Sequence, residues 1–157
     1  MSVARREGDD PLRGLPEAGL ATIVYSSRSL TPERSAAMAA IRRSASERNA
    51  RLGIAGFLHR EEDMFFQCLE GPPGALREVM ALLQSDPRHN HIQILLAGPI
   101  AARRFPDWAM GFSDRSTLSL FDWLTAGAGR RRIPSGQDTL AFLLTAAQAV
   151  RAGNAPA

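Results

Sequence analysis

The stretch Met64–Gly71, MFFQCLEG, has the composition of a buried strand with one exception in its middle. Side chains alternate between the two faces of a strand, so Phe65, Gln67 and Leu69 share one face. Gln67 therefore places a primary amide on an apolar face. Because a buried amide without partners costs about 1–3 kcal/mol, we predict that another side chain hydrogen-bonds to it.

The segments around this stretch alternate between strand and helix patterns. β-rich runs bounded by glycine or polar residues predict strands, and apolar residues at helical spacing predict helices. The expected strands are Leu20–Ser26, Ile54–Arg60, Met64–Glu70, His91–Leu96 and Asp107–Ser113. The expected helices run from N-cap Thr31 to Gly53, from Pro72 to Asp86, over 117–127 and from Thr139 to Arg151, with a linker at 129–132.

The order β-α-β-β-α-β-β predicts an α+β, ferredoxin-like fold, in which one sheet carries two helices on the same face. That arrangement leaves the other sheet face bare, and the apolar stripes of the C-terminal helices predict that they cover it. We expect a flexible extension at 1–18, a ligand-binding domain at 19–114 and a helical cap at 115–157.

The composition of the chain excludes several classes of protein. The chain of 157 residues has one cysteine, Cys68, which excludes an internal disulfide and a cysteine-rich zinc site. The formal charge is +3 and every basic residue is arginine, which indicates codon bias in a GC-rich bacterial genome rather than nucleic-acid binding. Neither a signal peptide nor an apolar run of about 20 residues is evident, so we expect a cytoplasmic protein without a membrane partner.

Two polar side chains are candidates to lie near Gln67. Tyr25, the only tyrosine, lies in the predicted first strand, which neighbours the third strand in this topology. Asn49 lies on the apolar face of the first helix, where Ala45 leaves room beside it. Two amides and a phenol between two helices suit a flat ligand with a polar edge. The same residues also fit a core without ligand, because a buried Tyr–Gln pair is common and Asn49 precedes a helix end.

Five motifs occur in order between Leu20 and Asp114: IVYSS, RNARLGIAG, FFQCLEGP, DPRH and RRFPDWAMGF. Together they resemble the BLUF domain, a family of blue-light sensors that use flavin. The resemblance implies a stand-alone photoreceptor rather than an enzyme, with FAD, or else FMN or riboflavin, bound non-covalently. In that family, light draws an electron and a proton from a tyrosine by way of a glutamine, whose rearranged hydrogen bonds give a red-shifted state.

The resemblance also implies roles for particular residues. Tyr25 and Gln67 match the photochemical pair, while Trp108 and Met110, expected on one face of the fifth strand, match residues that relay the signal. The implied flavin contacts are Asn49, Arg48, Ile41, Ala45, Phe65, Leu83, Asp86, Arg88 and His89. The implied output passes through the fifth strand and the C-terminal helices to an unknown downstream protein or a homo-oligomer.

Other functions fit parts of the pattern. An RNA-binding or protein-interaction module without flavin shares the strand order, but RNA modules need a Lys/Arg-Gly-aromatic signature that EDMFFQCLEG lacks. A hydrolase of the acylphosphatase kind needs a glycine-rich phosphate loop, and SSRSLTP has no glycine. His89 and His91 lack further ligands at metal spacing, so we expect no metal site. His59 is interpreted as a strand residue beside the acidic turn.

Overall fold

The computed structural model describes residues 10–128 and 134–153. Within these ranges the chain forms five strands and four helices, and their order confirms the predicted α+β, ferredoxin-like fold. The strands are β1 (Leu20–Ser29), β2 (Ala55–Glu61), β3 (Met64–Gly71), β4 (His89–Ile100) and β5 (Gly111–Asp114). The helices are α1 (Ala36–Leu52), α2 (Pro73–Gln84), α3 (Leu120–Ala128) and α4 (Gly136–Gly153).

Within the described ranges the strands form one mixed sheet, in the order β4-β1-β3-β2-β5. β1 and β3 are antiparallel neighbours at its centre, and their register places Tyr25 directly opposite Gln67. β2 and β3 form a hairpin, and β5 pairs with β2 in parallel at one edge. The central position of β3 explains its mainly apolar composition, because both faces of the strand are covered.

Helices cover both faces of this sheet. α1 and α2 pack on the face that carries Tyr25, and α3 and α4 pack on the other face, as the apolar stripes predict. The buried core under α2 comprises Leu15, Ala21, Ile23, Tyr25, Ile54, Leu69, Leu76, Val79, Met80 and Leu83. The core on the opposite face includes Val24, Phe57, Phe66, Cys68, Phe105, Leu120, Leu124, Leu140, Phe142, Leu143, Ala146 and Ala147.

Helix α1 begins later than the sequence predicts. Its N-cap is Ser35, whose hydroxyl accepts the Met38 N–H at 3.1 Å, so the prediction of Thr31 as the cap is wrong. The carbonyl of Thr31 instead accepts a hydrogen bond from the buried guanidinium of Arg60 at 2.8 Å. The helix ends at Gly53 as predicted, with φ at +69°, a conformation that glycine adopts without strain.

Strand β5 is shorter than predicted, which changes the positions of Trp108 and Met110. The ladder with β2 begins at Gly111 opposite Phe57, so both residues precede the strand. Trp108 packs against the core under α4, whereas Met110 packs against the core on the α1 and α2 side. The prediction that they share one face of the fifth strand is therefore wrong.

The other boundaries differ because of long-range packing. β1 and β4 pair with each other as far as Ser29 and His89, so both strands are longer than the sequence pattern predicts. In the segment 10–18, Leu15 is 7% exposed, and a Cβ on Gly14 would lie 2.5 Å from the carbonyl oxygen of Ala97. The flexibility of residues 1–18 and the domain boundaries stay predictions, and the predicted linker at 129–132 lies outside the described residues.

Along residues 10–128 and 134–153, every helix falls short of the length and apolar character that a bilayer crossing demands.

Candidate functional site

The floor of the site is formed by the central strands β1 and β3. Tyr25 Oη donates a hydrogen bond to Gln67 Oε1, and Gln67 Nε2 donates to Met110 Sδ at 3.4 Å. Tyr25 is 1% exposed and Gln67 is 6% exposed, so water does not replace these contacts. The predicted partner of the buried glutamine is therefore confirmed as the phenol of Tyr25.

A cleft between α1 and α2 opens above this floor, with about 450 Å³ of space that includes open solvent. It continues outward into a groove of about 830 Å³, also counted with open solvent, which shares Arg48, Asp86 and Arg88 with the cleft. Apolar and polar side chains from both helices, from four strands and from the segment between α2 and β4 line the cleft. The lining residues are Tyr25, Ser27, Ile41, Ser44, Ala45, Arg48, Leu58, Phe65, Gln67, Leu83, Asp86, Arg88 and His89.

Several polar atoms in the wall of the cleft are buried without a hydrogen-bond partner in the part of the chain that the structure describes. They are Ser27 Oγ, Arg48 Nε and both ring nitrogens of His89. Each unsatisfied buried polar group costs about 1–3 kcal/mol, so a cluster of them beside one cleft indicates a bound molecule that supplies the missing partners. A flat ring with donors and acceptors on its edge, such as a flavin, fits both these atoms and the apolar side chains opposite them.

The charged groups of the cleft lie at its outer end. Asp86 and Arg88 form an ion pair at 2.8 Å, and the hydrogen bond from Arg88 lowers the pKa of Asp86. Burial lowers the pKa of His89 and of Arg48. His89 is therefore neutral near pH 7 and offers one N–H donor and one acceptor nitrogen. Burial raises the pKa of Tyr25, which keeps the phenol protonated as a hydrogen-bond donor.

Three of the predicted site residues do not line the cleft. The side-chain amide of Asn49 donates to the Ala109 carbonyl at 2.8 Å and accepts from Arg48 at 3.3 Å, so it ties α1 to the segment before β5. Trp108 lies across the sheet, where its ring is 5.4 Å from that of Phe57. Met110 reaches the site by its contact with Gln67 at the floor.

The cleft includes three residues that sequence reasoning missed: Ser27, Ser44 and Leu58. The spacing of two of them along the sequence could have identified them. Ser27 is two residues beyond Tyr25 and shares its face of β1, and Ser44 is three residues beyond Ile41 on α1. Leu58 lies opposite Gln67 in the β2–β3 register, a pairing that depends on how the hairpin closes.

The opposite sheet face does not present a platform for RNA. Phe57, Phe66 and Phe105 are buried there beneath α3 and α4, each at most 3% exposed. RNA-recognition modules stack bases on exposed aromatic side chains of the sheet. The coverage of this face removes the structural basis for that alternative.

The proteins that match this chain include photoactivated adenylate cyclase subunits and BLUF proteins of known structure. The photoactivated adenylate cyclase subunit beta of Euglena longa is 32% identical over 106 residues, which are 67% of this chain but 12% of that protein. The structure of the BLUF protein BlrB in its dark state is 34% identical, with a TM-score of 0.71 over 85% of this chain and 98% of that one. BlrP1 of Klebsiella pneumoniae, solved with FMN and cyclic diGMP, is 35% identical, with a TM-score of 0.58 over 64% of this chain and 27% of that one.

A family model described as "BLUF: Sensors of blue-light using FAD" matches residues 20–111. The matched region contains β1 to β4, the first residue of β5, both helices of the cleft and every residue that lines it. This chain belongs to the BLUF family of blue-light sensors that use a flavin.

Proposed function

We propose that this chain is a blue-light photoreceptor that binds FAD non-covalently in the cleft between α1 and α2 and signals by rearranging the hydrogen bonds of Gln67. The observation that carries the proposal is the series of hydrogen bonds from Tyr25 Oη through the Gln67 amide to Met110 Sδ. A flavin held above this series supplies the absorption of blue light and, once excited, accepts an electron. The chain supplies the tyrosine, the proton and the amide that moves.

Different residues of the cleft suit different parts of the flavin. Ile41, Phe65 and Leu83 offer apolar surface for the faces of the ring. The unsatisfied atoms of Ser27, Arg48 and His89 offer hydrogen bonds for its polar edge. Asn49 acts by holding the segment that contains Met110 rather than by lining the cleft.

The amide of Gln67 has two orientations that differ by half a turn. In this structure its oxygen faces Tyr25 and its nitrogen faces Met110. Rotation places the N–H donors against the phenol oxygen and withdraws them from the sulfur, whereas a change of tautomer moves one proton from the nitrogen to the oxygen, which then donates to the phenol. A phenol oxygen accepts as well as donates, so Tyr25 keeps a hydrogen bond while Met110 loses one. Met110 is therefore the group that the rearrangement releases.

We propose that this release carries the signal out of the cleft. Met110 is followed directly by β5, and Trp108 contacts α4 through Arg151, whose guanidinium lies 4.6 Å from the indole. A change in the segment between them alters the packing of the C-terminal helices, and through them a homo-oligomer or the docking surface of a downstream protein. We propose a cytoplasmic location and no catalytic activity of this chain itself.

The absorption spectrum of the FAD-loaded protein tests the function. We expect a flavin band that shifts slightly to the red under blue light without bleaching and recovers in the dark. Gln67→Leu should bind FAD and show no shift, because leucine has no amide to rearrange. A protein that takes up no flavin, or a Gln67→Leu variant with a full shift, would overturn the proposal.

The outer groove bears on which flavin is bound. Arg48, Arg51 and Arg88 line it, and phosphate groups are preferred partners of arginine. We propose that it holds the phosphate end of FAD. Arg51→Ala should weaken the binding of FAD and of FMN about three- to tenfold and leave the affinity for riboflavin unchanged. The exposed Arg77 of α2 provides the matched control, since it does not line the groove. Equal weakening of all three flavins would contradict this assignment.

A further inference from the structure

Three polar side chains lie buried on the sheet face opposite the cleft and take no part in the photochemistry proposed above. They are His59 and Glu61 of β2 and Ser113 of β5, which are 0%, 1% and 2% exposed. Ser113 Oγ lies 2.7 Å from His59 Nδ1, and His59 Nε2 lies 3.6 Å from Glu61 Oε1. Charged and polar groups buried to this degree require partners that hold them in place.

Glu61 connects this cluster to the start of α3. Its carboxylate accepts the backbone N–H of Leu120 at 2.9 Å and of Phe121 at 3.1 Å. The first N–H groups of a helix have no partner within the helix, and a carboxylate near them also interacts favourably with the helix dipole. A strand residue 59 positions away in the chain therefore caps α3.

His59 joins the two ends of the cluster. Its Nδ1 lies within hydrogen-bond distance of the Ser113 hydroxyl, and its Nε2 faces the Glu61 carboxylate. The ring also meets Phe142 of α4 edge-on, at 4.7 Å between centroids, and Phe142 in turn meets Trp123 of α3 at 5.7 Å. A displacement of this ring thus reaches both C-terminal helices.

The cluster is also close in the chain to the floor of the cleft. Ser113 follows Met110 by three residues, and Met110 Sδ contacts Gln67. β5 contains only Gly111–Asp114 and is paired with β2, with Ser113 opposite His59 in the register. A short edge strand with few ladder hydrogen bonds shifts as a unit more readily than a central one.

We infer that Ser113, His59 and Glu61 are positioning residues that couple the movement of β5 to the N-terminus of α3. This inference rests on the proposed light-driven rearrangement of Gln67. When Met110 is released, β5 shifts along β2, the Ser113 hydroxyl moves relative to His59, and the Glu61 carboxylate loosens its hold on Leu120 and Phe121. The first turn of α3 then opens.

Amide hydrogen exchange on the full chain loaded with FAD tests the inference, with the absorption spectrum recorded on the same samples. In the unaltered protein we expect the amides of Leu120 and Phe121 to exchange about tenfold faster under blue light than in the dark. Ser113→Ala should keep the red shift but lose this acceleration, because the variant lacks the hydroxyl that links β5 to His59.

The matched control is Thr22→Val, which removes another buried hydroxyl on the same sheet face. Thr22 bonds to the Leu69 carbonyl and to Cys68, away from the β5–α3 route, so this variant should keep both the red shift and the acceleration. Glu61→Gln is a second variant that places an amide donor against the helix N–H groups. It should raise exchange at Leu120 already in the dark and leave little further response to light.

The outcomes separate the two claims. A protein without a red shift refutes the proposed function and with it this inference. A normal red shift with unchanged exchange at the start of α3, or an undiminished light response in Ser113→Ala, refutes the inference alone. Loss of the light response in Ser113→Ala and Glu61→Gln, with the response of Thr22→Val intact, supports it.

Discussion

Replacing Tyr25 by phenylalanine removes one hydroxyl from the floor of the cleft and little else. The ring is 1% exposed and keeps its contacts in the core with residues such as Ile23 and Leu69, so apolar burial does not change. Gln67 Oε1 loses the donor that it has in this structure. A buried acceptor left without a partner costs about 1–3 kcal/mol, and we expect the flavin-free Tyr25→Phe variant to lose about 1–2 kcal/mol of its unfolding free energy.

Urea denaturation of the flavin-free protein measures this loss, and the light-minus-dark spectrum of the FAD-loaded protein measures the photochemistry. Thr22→Val is the matched control, because Thr22 is a buried hydroxyl on the same strand but the opposite face. It should lose a similar free energy and keep the red shift, whereas Tyr25→Phe should bind FAD and show no shift. A full shift in Tyr25→Phe, or stability equal to that of the unaltered protein, would refute the reasoning.

The remaining predictions concern stability. Gly136→Ala should destabilise the protein by about 1–3 kcal/mol, since the added Cβ would lie 2.4 Å from the Leu95 carbonyl oxygen. Gly74→Ala on α2 should stabilise it by up to about 1 kcal/mol, because the added Cβ would meet nothing within 4 Å. Thermal denaturation of the two variants compares these effects. Burial opposes ionisation of Glu61, but hydrogen bonds from Ser119 and backbone N–H groups, together with the nearby His59 ring, outweigh it and lower the pKa of the carboxyl group. Its folded pKa is thus below its unfolded one, so stability present at neutral pH should fall below about pH 5, and Glu61→Gln should flatten that decline in urea titrations. Added FAD at a hundred times its dissociation constant should raise the unfolding free energy by about 2.7 kcal/mol, and no rise in the midpoint would count against binding to the folded chain.

Much of the site follows from the sequence because strand alternation is a local rule. The faces of β3 assign Gln67 to an apolar side, and the topology then brings β1 beside it, so Tyr25 is the natural partner. The spacing along α1 in the same way places Ile41 and Ala45 toward the cleft. The resemblance to the BLUF family adds the identity of the ligand, which no periodicity supplies.

The errors fall where a local pattern competes with a distant contact. Thr31 has the features of an N-cap, but Arg60 takes its carbonyl, and the helix starts at Ser35 instead. The contact of Asn49 with the flavin stays a prediction, and only the structure shows that its amide bonds to the Ala109 carbonyl sixty residues away in the chain. In each case the decisive partner is far away in the sequence, where propensity and spacing carry no information.

The sequence by itself determined the order of the elements, the two faces of β3, the pairing of Tyr25 with Gln67 and the family. These properties depend on alternation, helical period and ordered motifs, all of which are written along the chain. Only the tertiary structure decided that Trp108 and Met110 pack on opposite faces and that His59, Glu61 and Ser113 form one buried cluster. The reason is that β5 joins the sheet only at Gly111, and the register of its pairing with β2 is set by packing across the whole molecule.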